Sequence, residues 1–277
     1  MEPILRFKSF SSGSCGNCYF LGLEEEGAIT AAVLIDAGVS LRRLKRELAA
    51  EGLGLDSFSA VLVTHDHLDH IRALGSYCKH LGKPVYATPE LLYALSHHTF
   101  TLDYIGAVKR PLSDGDWTEI VLGKISVRAF VVPHDATQTV GYAVRIGGRN
   151  FVIMTDIGAM TDQALAYARG ADTVVIESNY DLEMLLKGPY TYDLKMRITR
   201  GSGHLSNDQC ASAIRAFLHP GLRHIFLCHL SENNNTPELA LAASRAALAD
   251  APGPDGSLPV PTLRALPRRT PSQLFRL

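Results

Sequence analysis

Six consecutive positions, His65-Asp66-His67-Leu68-Asp69-His70, carry three imidazoles and two carboxylates directly behind the apolar run Ala60-Val61-Leu62-Val63-Thr64. A short apolar run of this kind reads as a buried strand, and the residues from about Asp69 to Leu81 read as a helix. The polar cluster therefore falls on a loop at a sheet edge, where side chains need not alternate between faces and can converge on one point. Imidazole nitrogen and carboxylate oxygen are the natural ligands of zinc and similar divalent ions. Core packing has no use for three histidines at this spacing, so the segment predicts a metal site.

One cluster rarely supplies the ligands for two ions, and further donors stand at other strand ends. His134 follows the strand that closes at Val132, Asp156 follows Val152-Ile153-Met154-Thr155, and His229 follows Ile225-Phe226-Leu227-Cys228. Each polar residue terminates an apolar run, which carries it to a sheet edge instead of into the core.

The remaining chain supplies strands and helices in a consistent order. Ile4 to Phe10, Cys18 to Leu23 and Ala32 to Ile35 read as early strands, and Ser40 caps a helix with Leu41, Leu44 and Leu48 on one face. Val85-Tyr86-Ala87 is a short strand, and Ile125–Val132, Thr139–Ile146 and Asn150–Thr155 form a meander. A helix over Thr161–Ala168, a strand over Thr173–Ile176, a capping box at Ser206-x-x-Gln209, a strand over His224–Cys228 and a helix opening at Thr236-Pro237 follow. The tail from Ala251 is rich in proline and glycine, apart from a strand near Pro261 to Ala265. Antiparallel strands followed by alternating strands and helices predict an α/β (α+β) fold, with sheets covered by helices.

Composition narrows the function. A formal net charge of −1 leaves no global footprint for nucleic acid, although a local basic patch would not show in that total. Five scattered cysteines read as reduced thiols, and Cys15 and Cys18 read as small residues of a tight loop, not as a redox pair. The apolar runs are too short for a bilayer and the start of the chain lacks a secretory pattern, so no membrane role and a cytoplasmic location are expected.

The H-x-H-x-D-H motif, the later histidine, the Thr155-Asp156-Ile157-Gly158 aspartate and the final histidine resemble the metallo-β-lactamase superfamily from Leu34-Ile35-Asp36-Ala37-Gly38 to His229. The resemblance implies a four-layer αββα sandwich, with residues 1–277 as one domain and no inserted cap domain. It places His65, His67 and His134 on a first metal ion and Asp69, His70 and His229 on a second. Asp156 would bridge both, and Asp36 would orient the ligand loop without binding metal. The implied cofactor is two divalent ions, zinc or manganese, roughly 3.5–4 Å apart and sharing a hydroxide at which Asp69 also takes part in catalysis.

Four strings resemble the YycJ/WalJ-like branch, which is associated with DNA exonuclease activity. They are Ser11-Ser12-Gly13-Ser14-Cys15-Gly16-Asn17-Cys18, Glu177-Ser178-Asn179-Tyr180-Asp181, Gly203-His204-Leu205-Ser206-Asn207 and His229-Leu230-Ser231-Glu232-Asn233-Asn234. The resemblance implies a 5′–3′ exodeoxyribonuclease with DNA as partner, and leaves open whether the chain acts as a homodimer. Glu177 ends a buried strand, where a carboxylate is normally avoided, and His204 directly precedes a capped helix start. His204 is expected to contact the scissile phosphate or protonate the leaving oxygen, with Glu177 orienting its ring. Asn179 and Ser206 are candidate substrate contacts. Lys187, Lys195, Arg197 and Arg200 could meet backbone phosphates, and Tyr180, Tyr190 and Tyr192 could stack on bases. The metal ligands suit a phosphodiester, an amide or a thioester equally. A lactonase, thioesterase or lactamase therefore stands as the alternative enzyme, and a binding protein with a dead site as the alternative outside enzymes.

Overall fold

The early strands are buried in near-continuous runs, so that both faces of each are covered, which is the pattern of a sheet sandwiched between layers. The computed structural model, which describes residues 3–113, 115–249 and 260–277, shows that arrangement. Strands β1 (Ile4–Ser11), β2 (Cys18–Glu25) and β3 (Ala28–Ile35) pair antiparallel. After α1 (Leu41–Ala49), β4 (Ala60–Leu62) joins β3 in parallel. Then come α2 (Leu68–Ile71), α3 (Leu74–Leu81), β5 (Val85–Ala87), α4 (Pro89–His97), α5 (Leu102–Val108) and β6 (Lys109–Pro111), the two strands again parallel.

The second sheet starts with the meander β7 (Thr118–Val121), β8 (Ile125–Val132), β9 (Thr139–Ile146) and β10 (Arg149–Met154). Three parallel strands complete it: β11 (Thr173–Glu177), β12 (His224–Cys228) and β13 (Thr262–Ala265). Between them lie α6 (Asp162–Ala168), α7 (Leu182–Lys187), α8 (Tyr192–Thr199), α9 (Asn207–Phe217) and α10 (Pro237–Ala249). The last strand, β14 (Phe275–Arg276), returns to pair with β1, so among the described residues each sheet has seven strands.

Three apolar layers hold these elements. Phe7, Tyr19, Leu21, Val33, Tyr142, Phe151, Ile153 and Phe226 fill the space between the sheets. Phe20, Leu34 and Val61, on the opposite face of the first sheet, pack against Leu44, Leu48, Leu74, Leu91 and Ile105 of its helices. Val152, Met154, Ile176 and Leu227 meet Ala164, Cys210, Ile214 and Phe217 outside the second sheet. The architecture is an αββα sandwich.

Several elements depart from expectation. The helix read over Asp69–Leu81 is broken into α2 and α3. The Ala73 N–H donates to Ala37 O at 2.9 Å and the His70 carbonyl accepts from Ala37 N at 2.7 Å, so the end of β3 takes both groups from the helical ladder. β3 begins at Ala28, four residues before the apolar run. Thr88 caps α4 with Pro89 in its first turn, and this helix, α5, β6 and β7 fill a stretch for which no elements were expected. Residues 250–259 of the proline- and glycine-rich tail lie outside the described residues.

β3 and β4 run in parallel, as do β10, β11 and β12, so within each sheet these strands end at one edge. Three residues just past those ends, Asp36, Asp156 and His229, have left-handed backbones with φ of 62°, 52° and 50°. Such angles are uncommon outside glycine and persist only where surrounding contacts enforce them. They turn the chain sharply at the strand end and aim each side chain across the edge.

Candidate metal centre

The left-handed turns and the loop after β4 bring the histidines and aspartates into one cluster. Donor atoms of His65, His67 and His134 all lie within 4.8 Å of one another, as do those of Asp69, His70 and His229, and those of His65, His70 and Asp156.

Hydrogen bonds on the far side of each ring fix which nitrogen faces inward. His134 Nδ1 donates to Gly203 O at 2.8 Å and His67 Nε2 donates to Asp135 O at 3.2 Å. In the neutral ring forms His134 Nε2 and His67 Nδ1 carry lone pairs, yet they face each other at 3.3 Å. Beside them His65 Nε2 is buried with no hydrogen-bond partner. Three inward lone pairs without a donor among them fit a cation and little else.

The second group has the same logic. His70 Nδ1 is held by Asp36 Oδ2 at 2.7 Å. Its Nε2 stands 3.1 Å from Asp156 Oδ2 and 3.5 Å from Asp69 Oδ2, and His229 Nε2 stands 3.4 Å from the same Asp69 oxygen. The other Asp156 oxygen looks toward His134 Nε2 at 3.9 Å. Asp156 thus lies between the two groups.

Charge supports the same fit. Asp36, Asp69, Asp156 and Glu177 converge here, and their ion pairs in the centre are with histidines. Burial pulls the His229 and His70 imidazoles down, but neighbouring carboxylates overcome it. Asp156 leads in holding His229 well above its ordinary value, and Asp36 leads in holding His70 up to about 10. His65, by contrast, is pushed well below its ordinary value by burial and then by His70. A site that draws positive charge to its carboxylates and keeps one imidazole neutral is suited to divalent ions.

Asp36 is fully buried and accepts from Thr64 N at 2.8 Å, from the Thr64 hydroxyl and from His70. It braces the loop and the His70 ring. Replacing Asp36 with alanine strands these donors, so denaturant unfolding should show a loss of about 3 kcal/mol or more. A variant as stable as the parent would contradict that bracing role.

Glu177 ends β11 fully buried, with Oε1 accepting from His204 Nδ1 at 2.7 Å and standing 3.1 Å from His229 Nδ1. Its other oxygen accepts from Ile157 N and Leu205 N at 2.9 and 3.2 Å. Burial raises Glu177, yet the His204 imidazole and then His229 together outweigh it and keep the carboxyl below its ordinary value. With Nδ1 committed to Glu177, His204 turns its Nε2 away from the carboxylate.

The centre opens into a cleft of about 350 Å³ walled by Asp69, His134, Asn179, Tyr190, Arg197 and His204, within the size range of small-ligand pockets. Asn179 Nδ2 donates to His229 O at 2.8 Å, so it meets the cleft and braces His229 at once. Ser206, expected to touch substrate, does not line the cleft. Its hydroxyl accepts from Gln209 N at 3.1 Å and closes the capping box of α9. Tyr190 and Arg197 reach the cleft from the α7–α8 segment, where Arg197 Nε pairs with Asp135 and Tyr190 accepts from Asn233. Tyr180 is buried, while Lys187 is exposed and pairs with Glu183. All five cysteines are free, Cys15 exposed and Cys18 buried, and neither belongs to the centre.

Two contributors escaped sequence reasoning. From sequence Thr64 is only the end of a strand, yet its hydroxyl contacts Asp36 and stands 3.0 Å from His65 Nδ1. From sequence Asn17 is only part of a small-residue loop, yet its side chain is fully buried beside Asp69 and His70. Its only local signal is an amide between glycine and cysteine.

Known proteins are similar to this chain. The β-lactamase superfamily domain matches residues 31–229. The chain is 35% identical over 240 residues to an exodeoxyribonuclease YycJ of Bacillus anthracis, covering 85% of this chain and 86% of that protein. It is 32% identical over 235 residues to an exodeoxyribonuclease WalJ of Streptococcus pneumoniae, covering 85% of each. Among solved structures, the metallo-β-lactamase-fold protein YhfI of Bacillus subtilis superposes with a TM-score of 0.67 at 14% identity, over 97% of this chain and 99% of that one. Because the matched segment runs through the strands that deliver the histidines and closes on His229, the chain belongs to the metallo-β-lactamase superfamily of hydrolases.

Proposed function

We propose that this protein is a metal-dependent phosphodiesterase that degrades DNA from an end, as a 5′–3′ exodeoxyribonuclease working in the cytoplasm. The observation that carries the reading is the Glu177–His204 pair: a cleft-facing imidazole, held by a buried carboxylate at 2.7 Å, beside the histidine–aspartate centre. Its identity to proteins named exodeoxyribonucleases, across most of both lengths, supports the same substrate.

His65, His67 and His134 would hold one ion and Asp69, His70 and His229 the other, with Asp156 shared. Bound zinc or manganese would supply Lewis acidity toward the phosphate and neutralise its charge. The chain's own residues do the rest. Glu177 keeps His204 Nδ1 protonated and the ring fixed, so a proton on Nε2 can pass to the leaving oxygen. Arg197 offers the guanidinium nitrogens beyond its Asp135 contact to a backbone phosphate, and Tyr190 offers a ring face to a terminal base.

The acid role fixes a pH dependence. Burial lowers His204, but Glu177 and then Asp156 outweigh it and hold the imidazole above its ordinary value. The donor works while protonated, so kcat falls as pH rises through that raised pKa. Glu177→Gln removes the leading negative charge, and the alkaline fall in kcat should start about one pH unit or more lower. An unmoved limb would contradict the pairing.

Arg197→Ala should raise KM for DNA several-fold with kcat largely kept, and reduce the slope of log affinity against log salt by about 1. An unchanged slope would remove Arg197 from the phosphate track. The whole reading is tested by incubating the zinc- or manganese-loaded protein with end-labelled duplex DNA, a bare phosphodiester and a chromogenic lactam. Stepwise loss of nucleotides from one end is expected; lactam turnover with intact DNA would overturn it.

A further inference from the structure

We infer that Ser12, Tyr19 and Asn17 form a positioning relay for the second ion's ligands, with Asn17 setting how firmly that ion, and not the first, is held. This rests on the two-ion reading of the centre and not on DNA being the substrate.

The relay is a one-way line of hydrogen bonds whose three side chains are fully buried. Gly13 N donates to Asn17 Oδ1 at 2.8 Å and the Tyr19 hydroxyl donates to the same oxygen at 3.2 Å. With its hydrogen spent there, Tyr19 can only accept from the Ser12 hydroxyl, 2.9 Å away. Ser12 Oγ is then free to accept from the backbone N–H of His229 at 3.0 Å. The Gly13 and His229 N–H groups can only donate and the Asn17 oxygen can only accept, which matches this direction along the line.

The far end reaches the other side of the same site. Two donors fix the Asn17 oxygen, so its nitrogen must point the opposite way. There Gly13 O and Asp69 Oδ2 accept, each at 3.1 Å, and His70 Nε2 stands 2.8 Å away. The backbone of Asn17 donates to Asp69 O at 2.7 Å and its carbonyl accepts from Gly38 N at 2.8 Å. Gly38 has no room for a side chain, since a Cβ there would lie 1.8 Å from Asp69 O. The line therefore runs from His229, whose backbone is left-handed, to Asp69, and closes a ring because His229 Nε2 and Asp69 Oδ2 stand 3.4 Å apart.

The first group is anchored differently. His67 and His134 bond the Asp135 and Gly203 carbonyls, and His65 stands against Thr64. Among the described residues no hydrogen bond joins the relay to these three histidines. It also lies before residue 31, outside the segment that matches the superfamily domain.

The test is zinc titration of the metal-stripped protein by calorimetry, with ions per chain counted after dialysis, for the parent and for Asn17→Ala and Tyr19→Phe. The parent should take two ions. Asn17→Ala should keep the first at parental affinity and weaken the second about 10–100-fold, and Tyr19→Phe should move the second in the same direction by less. Should Asn17→Ala fail to fold, Tyr19→Phe, which keeps the ring, decides alone. Parental binding of both ions by the variants, or equal weakening of both, overturns the relay alone. A parent that takes fewer than two ions overturns the two-ion reading and the relay with it.

Discussion

His204→Ala should lower kcat on DNA by about 10²–10⁴-fold, the usual worth of a placed proton donor, while metal content stays at the parental level. His204 is held through Nδ1 by a carboxylate that is itself fixed by two backbone N–H groups, so the ring cannot swing away from the cleft. Metal content separates two roles that geometry brings close together. His204 Nδ1 lies 3.9 Å from Asp156 Oδ1, and its donor atoms also cluster with those of Asp156, Glu177 and His229. A proton donor leaves the ions in place when removed, whereas a ligand takes an ion with it. Unchanged kcat, or loss of an ion, would refute the assigned role.

Asp156→Ala should be at least as damaging, and by another route. Its oxygens look one toward His134 and one toward His70, so a single carboxylate serves both donor groups. It also heads the charges that hold His229 above its ordinary value. Without it both ions should bind far more weakly, and activity at fixed zinc should fall by about 10²-fold or more. Stability gives an independent readout. A ligand at 1,000 times its Kd adds about 4 kcal/mol to the folded state. Zinc should therefore raise the melting temperature of the parent, chelator should reverse the gain, and Asp156→Ala should show little response to either. A variant with the parental zinc response would show that Asp156 is not shared between ions.

The fold was legible where burial is two-sided. Residues such as Val61, Val152 and Phe226 sit in runs with no polar face, and such runs become central strands. The donors were legible because each interrupts such a run at its end. Elements lacking that contrast stayed hidden. α8 buries no residue and α7 only Leu185, so no apolar periodicity marks them, although Thr191 and Asp181 cap their starts. The break at Ala73 comes from β3, and the Asn17–Asp69 bond spans 52 positions, so neither leaves a local trace. Ser206 carried two readings, and its hydroxyl went to the helix. The left-handed turns at Asp36, Asp156 and His229 were likewise silent, because aspartate and histidine at a strand end usually keep ordinary backbone angles.

The most direct test is anomalous diffraction from crystals soaked in zinc or manganese. Two peaks are expected, one among His65, His67 and His134 and one among Asp69, His70 and His229, with Asp156 touching both. An anomalous map that is empty at the strand ends, or that places the ions elsewhere on the chain, would contradict the account.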